Sequence, residues 1–164
     1  MSIEKNKILA KKFLLELYCR WNYDLVDELI HEDYELGKDS VSILAQARTL
    51  PGKAAFVKRL KYYHKALPDM RYGIIKIISE EDNVIVWWAM KATQVGDFND
   101  FPTKGKKVQI FGTHHFEIKD GKIISSTINF DTFSFLIQLG HIEVTNEQED
   151  MVMEYLKRIE KLGI

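Results

Sequence analysis

Asp120-Gly121 separates two stretches rich in β-branched and aromatic residues, Val108–Ile118 and Lys122–Phe130. An Asp-Gly pair readily takes the two positive-φ positions of a tight hairpin turn, so the two stretches read as adjacent antiparallel strands. Two more strand signals precede them. Arg71–Ile78 (RYGIIKII) is β-branched, with Glu80–Asn83 as the turn behind it. Val84–Val95 (VIVWWAMKATQV) places Val84, Val86, Trp88, Met90 and Ala92 on one parity. A loop, Gly96–Gly105, carries Phe98, Phe101 and Pro102. Sequential strands joined by tight turns imply antiparallel pairing.

The flanking segments are helical. Ile3, Ala10, Phe13, Leu14, Leu17 and Trp21 recur at helical spacing, and Leu25, Val26, Leu29 and Ile30 form a short second helix. Pro51-Gly52 opens a third, with Ala55, Phe56, Leu60, Tyr63 and Leu67 on one face, and Pro68 ends it. Thr132–Leu139 is a short helical pattern closed by Gly140. In the tail, Thr145 and Gln148 have capping-box spacing, Val152, Tyr155 and Leu156 share a face, and Gly163 is a C-cap candidate. This helix can lie on its own sheet or on another subunit. The order predicts an α+β fold, a sheet with helices packed on one face. Residues 1–142 form the domain and residues 143–164 a C-terminal helical extension.

Charge and cysteine usage exclude several functions. Lys+Arg 23 against Asp+Glu 24 leaves a formal charge of -1, too little field to hold a polyanion, so no nucleic-acid partner is expected. The single cysteine, Cys19, allows neither an intramolecular disulfide nor a cysteine metal cluster, and suits a reducing compartment. The opening MSIEKNKILAKKF has no apolar core, and no apolar run approaches the ~20 residues that span a bilayer. The expectation is a cytoplasmic protein with no membrane partner. Walker, dinucleotide-glycine, HExxH and G-x-S-x-G motifs are absent. Lys104–Lys107 (KGKK) reads as a solvated loop.

His114-His115 is the pair that could carry chemistry. Adjacent strand residues face opposite ways, and Val108, Ile110, Gly112, Phe116 and Ile118 share the parity of His114. His114 is therefore expected inside and His115 outside. A desolvated imidazole stays neutral, and can accept a proton or hydrogen-bond a carbonyl; equally, it can be a satisfied core histidine. Asp131, between the last strand and Thr132, reads as a helix N-cap or as a general acid/base at a pocket mouth. Trp88, Met90 and Gln94 face inward. The first two can be core filling, whereas the Gln94 amide needs a partner, which makes it the better ligand contact.

Together these residues resemble the SnoaL-like polyketide cyclases, a branch of the nuclear-transport-factor-2-like (NTF2-like) superfamily. The resemblance runs from about Ile3 to Gly140. It includes Trp21–Tyr34 (WNYDLVDELIHEDY), Leu67–Arg71 (LPDMR), the loop Val95–Lys106, and Asp120–Ile123 followed by Asp131 and Gln138-Leu139-Gly140. It implies a curved antiparallel sheet wrapped by helices into a cone with a deep apolar pocket, in an oligomer packed through the sheet; Ile85, Trp87 and Val95, on the parity opposite the pocket, need cover and predict a homodimer formed through that outer face. Cyclases of this family close a ring by intramolecular aldol condensation without metal or cofactor, using an aspartate on the last strand beside a histidine. The histidine position matches His114, but the aspartate position falls on Ile128. Asp131 lies three residues further on, and Gln94 replaces another family histidine. The candidate catalytic residues are His114 and Asp131, with Trp88, Met90, Gln94, Phe116 and Ile128 as candidate contacts to a small apolar carbonyl compound. Three functions fit: a cyclase or isomerase acting on a carbonyl compound, a non-catalytic binder, or an assembly module whose pocket is merely core.

Overall fold

The structure, a computed structural model, describes residues 2–36, 51–98 and 101–161. The strands form as the sequence predicts. β2 (Arg71–Glu80), β3 (Asn83–Thr93), β4 (Lys107–Lys119) and β5 (Lys122–Phe130) pair antiparallel in succession. Asp120 and Gly121 take φ of 48° and 78°, the two positive-φ positions that the hairpin requires. Register breaks on β2 and at the β4–β5 pairing are the bulges that bend a sheet.

One edge departs from the expected antiparallel sheet. β1 (Ile30–Leu36) pairs parallel with β5, giving the order β1-β5-β4-β3-β2. Ile30, expected at the end of the second helix, instead begins this strand; that helix is only Val26–Leu29 (α2), behind a 3₁₀ turn at Tyr23–Leu25. The physical reason is visible in IHEDYEL. Only Ile30 and Tyr34 are buried, four residues apart with charges between, so no period of two reaches the sequence. The Tyr34 hydroxyl and Ser126 Oγ, 2.5 Å apart, tie the edge strand down.

α1 (Ile3–Lys12) runs directly into a π-helical segment, Phe13–Tyr18, where the Cys19 N–H donates to the carbonyl of Leu14 at 3.1 Å. The extra residue in the turn widens the buried stripe, so Phe13, Leu14, Leu17 and Tyr18 are all in the core. Ile3, expected on that stripe, is instead 47% exposed in the first turn of the helix. α3 (Lys53–Ala66) follows Gly52, whose φ is 85°. α4 (Thr132–Leu139) is capped by Asp131 and closed by left-handed Gly140. α5 is Asn146–Glu160, its Gln148 side chain accepting from the Thr145 N–H as a capping box does. The Gly163 cap and residues 99 and 100 of the loop lie outside the described residues.

The sheet has a helical inner face. Val84, Val86, Trp88, Met90 and Ala92 of β3 and Val108, Ile110, His114, Phe116 and Ile118 of β4 are buried there, and Phe13 packs edge-on against Phe116 at 4.9 Å. The tail helix lies on the opposite face of its own sheet, where Tyr155 meets Phe111 at 5.6 Å. It also helps close an edge. β5 pairing stops at Phe130, opposite Gly112, leaving residues 107–111 of β4 without a strand on that side. Side chains replace the strand. Gln138 accepts from the Gln109 N–H and donates to its carbonyl (2.8 and 2.9 Å), and Tyr155 Oη accepts from the Phe111 N–H (3.1 Å). An open row of backbone groups is thereby satisfied.

Gly112 has an ordinary strand conformation but no room for a side chain. A Cβ there would come within 2.4 Å of the Trp88 ring and 2.7 Å of the Asn129 carbonyl oxygen. Gly112→Ala is expected to cost about 1–3 kcal/mol, the range for overpacking a closed core, read as a lower urea midpoint at unchanged slope. An unchanged midpoint would show that Trp88 has freedom to move aside.

Candidate functional site

His114 sits in the middle of β4, paired across the strands with Val86 on one side and Ile128 on the other. Its ring stacks on Phe116 (5.3 Å, 6° between planes) and meets Trp88 at 5.6 Å, Phe13 at 6.0 Å and Tyr72 at 6.1 Å. The residue is 6% exposed. Burial alone pushes its pKa down to about 3, so near neutral pH the imidazole is uncharged. A neutral imidazole has one N–H donor and one acceptor nitrogen. Two polar atoms in this shell, His114 Nδ1 and Trp88 Nε1, have no hydrogen-bond partner among the described residues.

The structure groups Trp88, Phe116 and Ile128 around His114. Met90 lies one inward position further along β3, between Tyr72 and Ile110. Gln94 is fully buried at the foot of the 94–106 loop. Its Nε2 donates to the Phe101 carbonyl at 3.1 Å, its own carbonyl accepts from Thr103 Oγ1, and its Oε1 has no partner among the described residues. Asp131 caps α4: Oδ1 accepts from the Ser134 N–H (3.0 Å) and Oδ2 from the Ser134 hydroxyl (2.5 Å). It also neighbours the Tyr155 phenol, on the sheet's outer side. His115 points outward, its Nε2 2.8 Å from Asn83 Oδ1. The LPDMR stretch has a structural use, because Asp69 takes both the N–H and the hydroxyl of Thr93 at 2.7 Å and ties the end of α3 to β3.

Two wall residues escaped the sequence reading. Tyr72 faces inward because it pairs with Met90, a fact available from the parity of RYGIIKII once the hairpin register is known. Phe13 reaches His114 from the π-helical segment, and no sequence signal marks that. The arrangement is a hydrocarbon shell with two polar points, suited to hydrogen-bonding one small polar group within an apolar body.

The buried imidazole couples protonation to stability. Its folded pKa, about 3, lies below the ordinary histidine value near 6.5, so the folded state resists the proton that the unfolded chain accepts. Its contribution is complete above pH ~6.5 and is lost progressively as pH falls toward about 3, at up to ~1.4 kcal/mol per pH unit. His114→Phe is expected to flatten the stability curve of the wild type across that window, measured by urea unfolding at each pH. Parallel curves would place the imidazole in contact with water.

A protein-family model, SnoaL-like polyketide cyclase, matches residues 8–139. No curated protein matches. Solved structures do, at low identity. A protein of Jannaschia sp. described as a SnoaL-like polyketide cyclase superposes with a TM-score of 0.75 at 16% identity, covering 87% of this chain and 97% of its own. One of Acidithiobacillus ferrooxidans described as a polyketide cyclase gives 0.70 at 23%, covering 87% and 100%. An epoxide hydrolase of Mycobacterium tuberculosis, of the LEH-like kind, gives 0.66 at 16%, covering 85% and 92%. These likenesses place the fold among the NTF2-like structures, a curved sheet wrapped by helices. With the match spanning most of its length, this chain belongs to the SnoaL-like polyketide cyclase family.

Proposed function

We propose that this protein binds a small apolar carbonyl compound against the aromatic shell around His114, the carbonyl oxygen accepting hydrogen bonds from the imidazole and the Trp88 indole. The observation that carries this reading is the pair of unpartnered polar atoms, His114 Nδ1 and Trp88 Nε1, on rings 5.6 Å apart. A buried polar group left unsatisfied costs about 1–3 kcal/mol. A ligand carbonyl relieves that cost, and the surrounding rings take the hydrocarbon.

A second reading, a cofactor-independent aldol cyclase or isomerase, is favoured by the family and by a histidine at the inner face. Either reaction removes a proton beside a carbonyl, which needs a base of suitable strength. An imidazole with a pKa near 3 is a weak one. Its cross-strand partner is Ile128, which carries no proton, and both carboxylate oxygens of Asp131 are engaged by Ser134. The fold does not choose between these readings, since structures sharing it include one described as a cyclase and an epoxide hydrolase. Binding is therefore placed first and turnover second.

The test is three proteins assayed side by side with an aryl methyl ketone, by calorimetry for binding and by deuterium exchange at the methyl carbon for proton transfer. The wild type is expected to bind the ketone with exchange at background. His114→Ala should weaken binding at least about tenfold, as expected for a lost buried hydrogen bond. Ile128→Asp, which puts a carboxylate opposite the imidazole, should melt lower and gain exchange by about 10²- to 10⁴-fold. A wild type that already exchanges rapidly and loses that activity in Ile128→Asp would establish the enzyme reading.

The same reading includes a homodimer through the sheet. On the outer face Ile78, Ile85, Trp87 and Val95 are 46–56% exposed, and Ile78 pairs directly with Ile85. Apolar groups so arranged favour cover by a second surface. Light scattering should report a dimer for the wild type and a monomer for Trp87→Glu; a wild-type monomer at micromolar concentration would refute the dimer.

A further inference from the structure

Glu149, Met153 and Lys157 follow one another at four-residue spacing along α5, so they form one stripe on its surface. Tyr155 of the same helix turns to the sheet, whereas the stripe borders a groove. That groove lies between α5 and the chain leaving α4, against Ile137, Ile142, Val144 and Val152, and its volume of about 730 Å³ has room for several side chains. It continues past Val108 and Gln109 at the open edge of β4, with Met153 and Leu156 common to both stretches. Glu149 stands beside the first stretch and Lys157 beside the second, and Met153 between them is 53% exposed. The helix lies past residue 139, where the family match ends, so the groove is an addition of this chain to the shared fold.

We infer that the groove docks a second copy of this chain, two α5 helices packing antiparallel about a two-fold axis at Met153. The charge pattern carries the inference. Met153 is the middle residue of α5, so an antiparallel pair centred on it sets each Glu149 against the partner's Lys157 and each methionine against its counterpart. A parallel pair would set glutamate on glutamate and lysine on lysine, so the same pattern rejects that arrangement. The whole helix repeats the asymmetry, with Glu147 and Glu149 in its first turn and Lys157 and Arg158 in its last. Methionine is adaptable enough to pack against its own copy. An anionic amphiphile is the other occupant to weigh, but the rim carries Glu143 and Glu149 as well as Lys106 and Lys107, which suits a partner bearing both signs. The contact is separate from the outer-face patch, whose Ile78, Ile85 and Trp87 belong to β2 and β3. One helix against another buries well under the ~1,200 Å² of a stable interface, so it forms at hundreds of micromolar and not at micromolar concentration.

Sedimentation equilibrium of the full chain, from about ten micromolar to about half a millimolar, reads this contact. The mass should double across that range in the wild type, and also in Trp87→Glu. Each single charge reversal, Glu149→Lys or Lys157→Glu, removes two attractions and creates two repulsions, and should weaken the association at least about tenfold. The double variant Glu149→Lys/Lys157→Glu exchanges the charges and should recover it to within about threefold. Cross-linking locates the axis. Met153→Cys should be joined to its own copy by a short bismaleimide at least about tenfold faster than Met151→Cys, whose position is more exposed (71%) but off the stripe, while the native Cys19 is buried. A mass that stays constant to the highest concentration, or a double variant that fails to recover, overturns the inference. So does an association that Trp87→Glu abolishes and Glu149→Lys leaves intact, which assigns it to the sheet face. Equal cross-linking at positions 151 and 153 also overturns it, because the axis then lies elsewhere.

Discussion

The Trp88 indole lies across Gly112, and the inner face of the sheet is organised by that contact. The two residues are direct cross-strand partners, and the ring occupies the space that a Cβ at 112 would need. A slip of one residue would set Trp88 against Phe111 or Thr113 and turn the whole inner set of β4 outward. The glycine therefore does more than permit close approach, because it selects one register. With that register set, His114 falls beside Val86, the next inward partner along the strands, and within ring contact of Trp88. The inward histidine is thus a consequence of a large residue facing a missing one.

Polar groups are treated differently at the edges and in the interior. At the open side of β4, Gln138, Asp131 and Tyr155 supply donors and acceptors for Gln109 and Phe111 where β5 has ended. At the base of β3, Asp69 takes both polar groups of Thr93. At the parallel edge the Tyr34 and Ser126 hydroxyls pair with each other. Several buried side-chain atoms among the described residues have no partner, Gln94 Oε1 and Thr127 Oγ1 among them, and of these the His114 and Trp88 nitrogens share one aromatic shell. Polar atoms left open on two neighbouring rings are the observation behind the proposed binding role.

How much of this was legible in the sequence depended on whether the determining interaction was local. The Asp120-Gly121 turn, the Asp131 cap and the Gly140 terminator are set by backbone geometry within a few residues, and all appear where the sequence puts them. The inward His114 needed only parity along one strand. β1 was hidden because its pairing partner is nearly a hundred residues away and its own pattern is mostly charged. The π-helical segment has no sequence signature, so the approach of Phe13 to His114 could not be read.

Ile128 decides what the two polar nitrogens are worth chemically. As the hydrocarbon directly across from His114, it adds to the desolvation that keeps the imidazole neutral, and it supplies no charge to hold an imidazolium. A neutral imidazole can hydrogen-bond a carbonyl oxygen without the cost of removing a charge from water. A carboxylate at the same position would reverse that balance, since an opposite charge a few ångströms away favours the protonated ring and raises its pKa. Such a pair could then exchange a proton with a bound carbonyl compound. The same shell can thus serve binding or proton transfer, depending on one side chain of β5. With isoleucine in that place, the neutral imidazole suits the proposed holding of a carbonyl group better than it suits proton transfer.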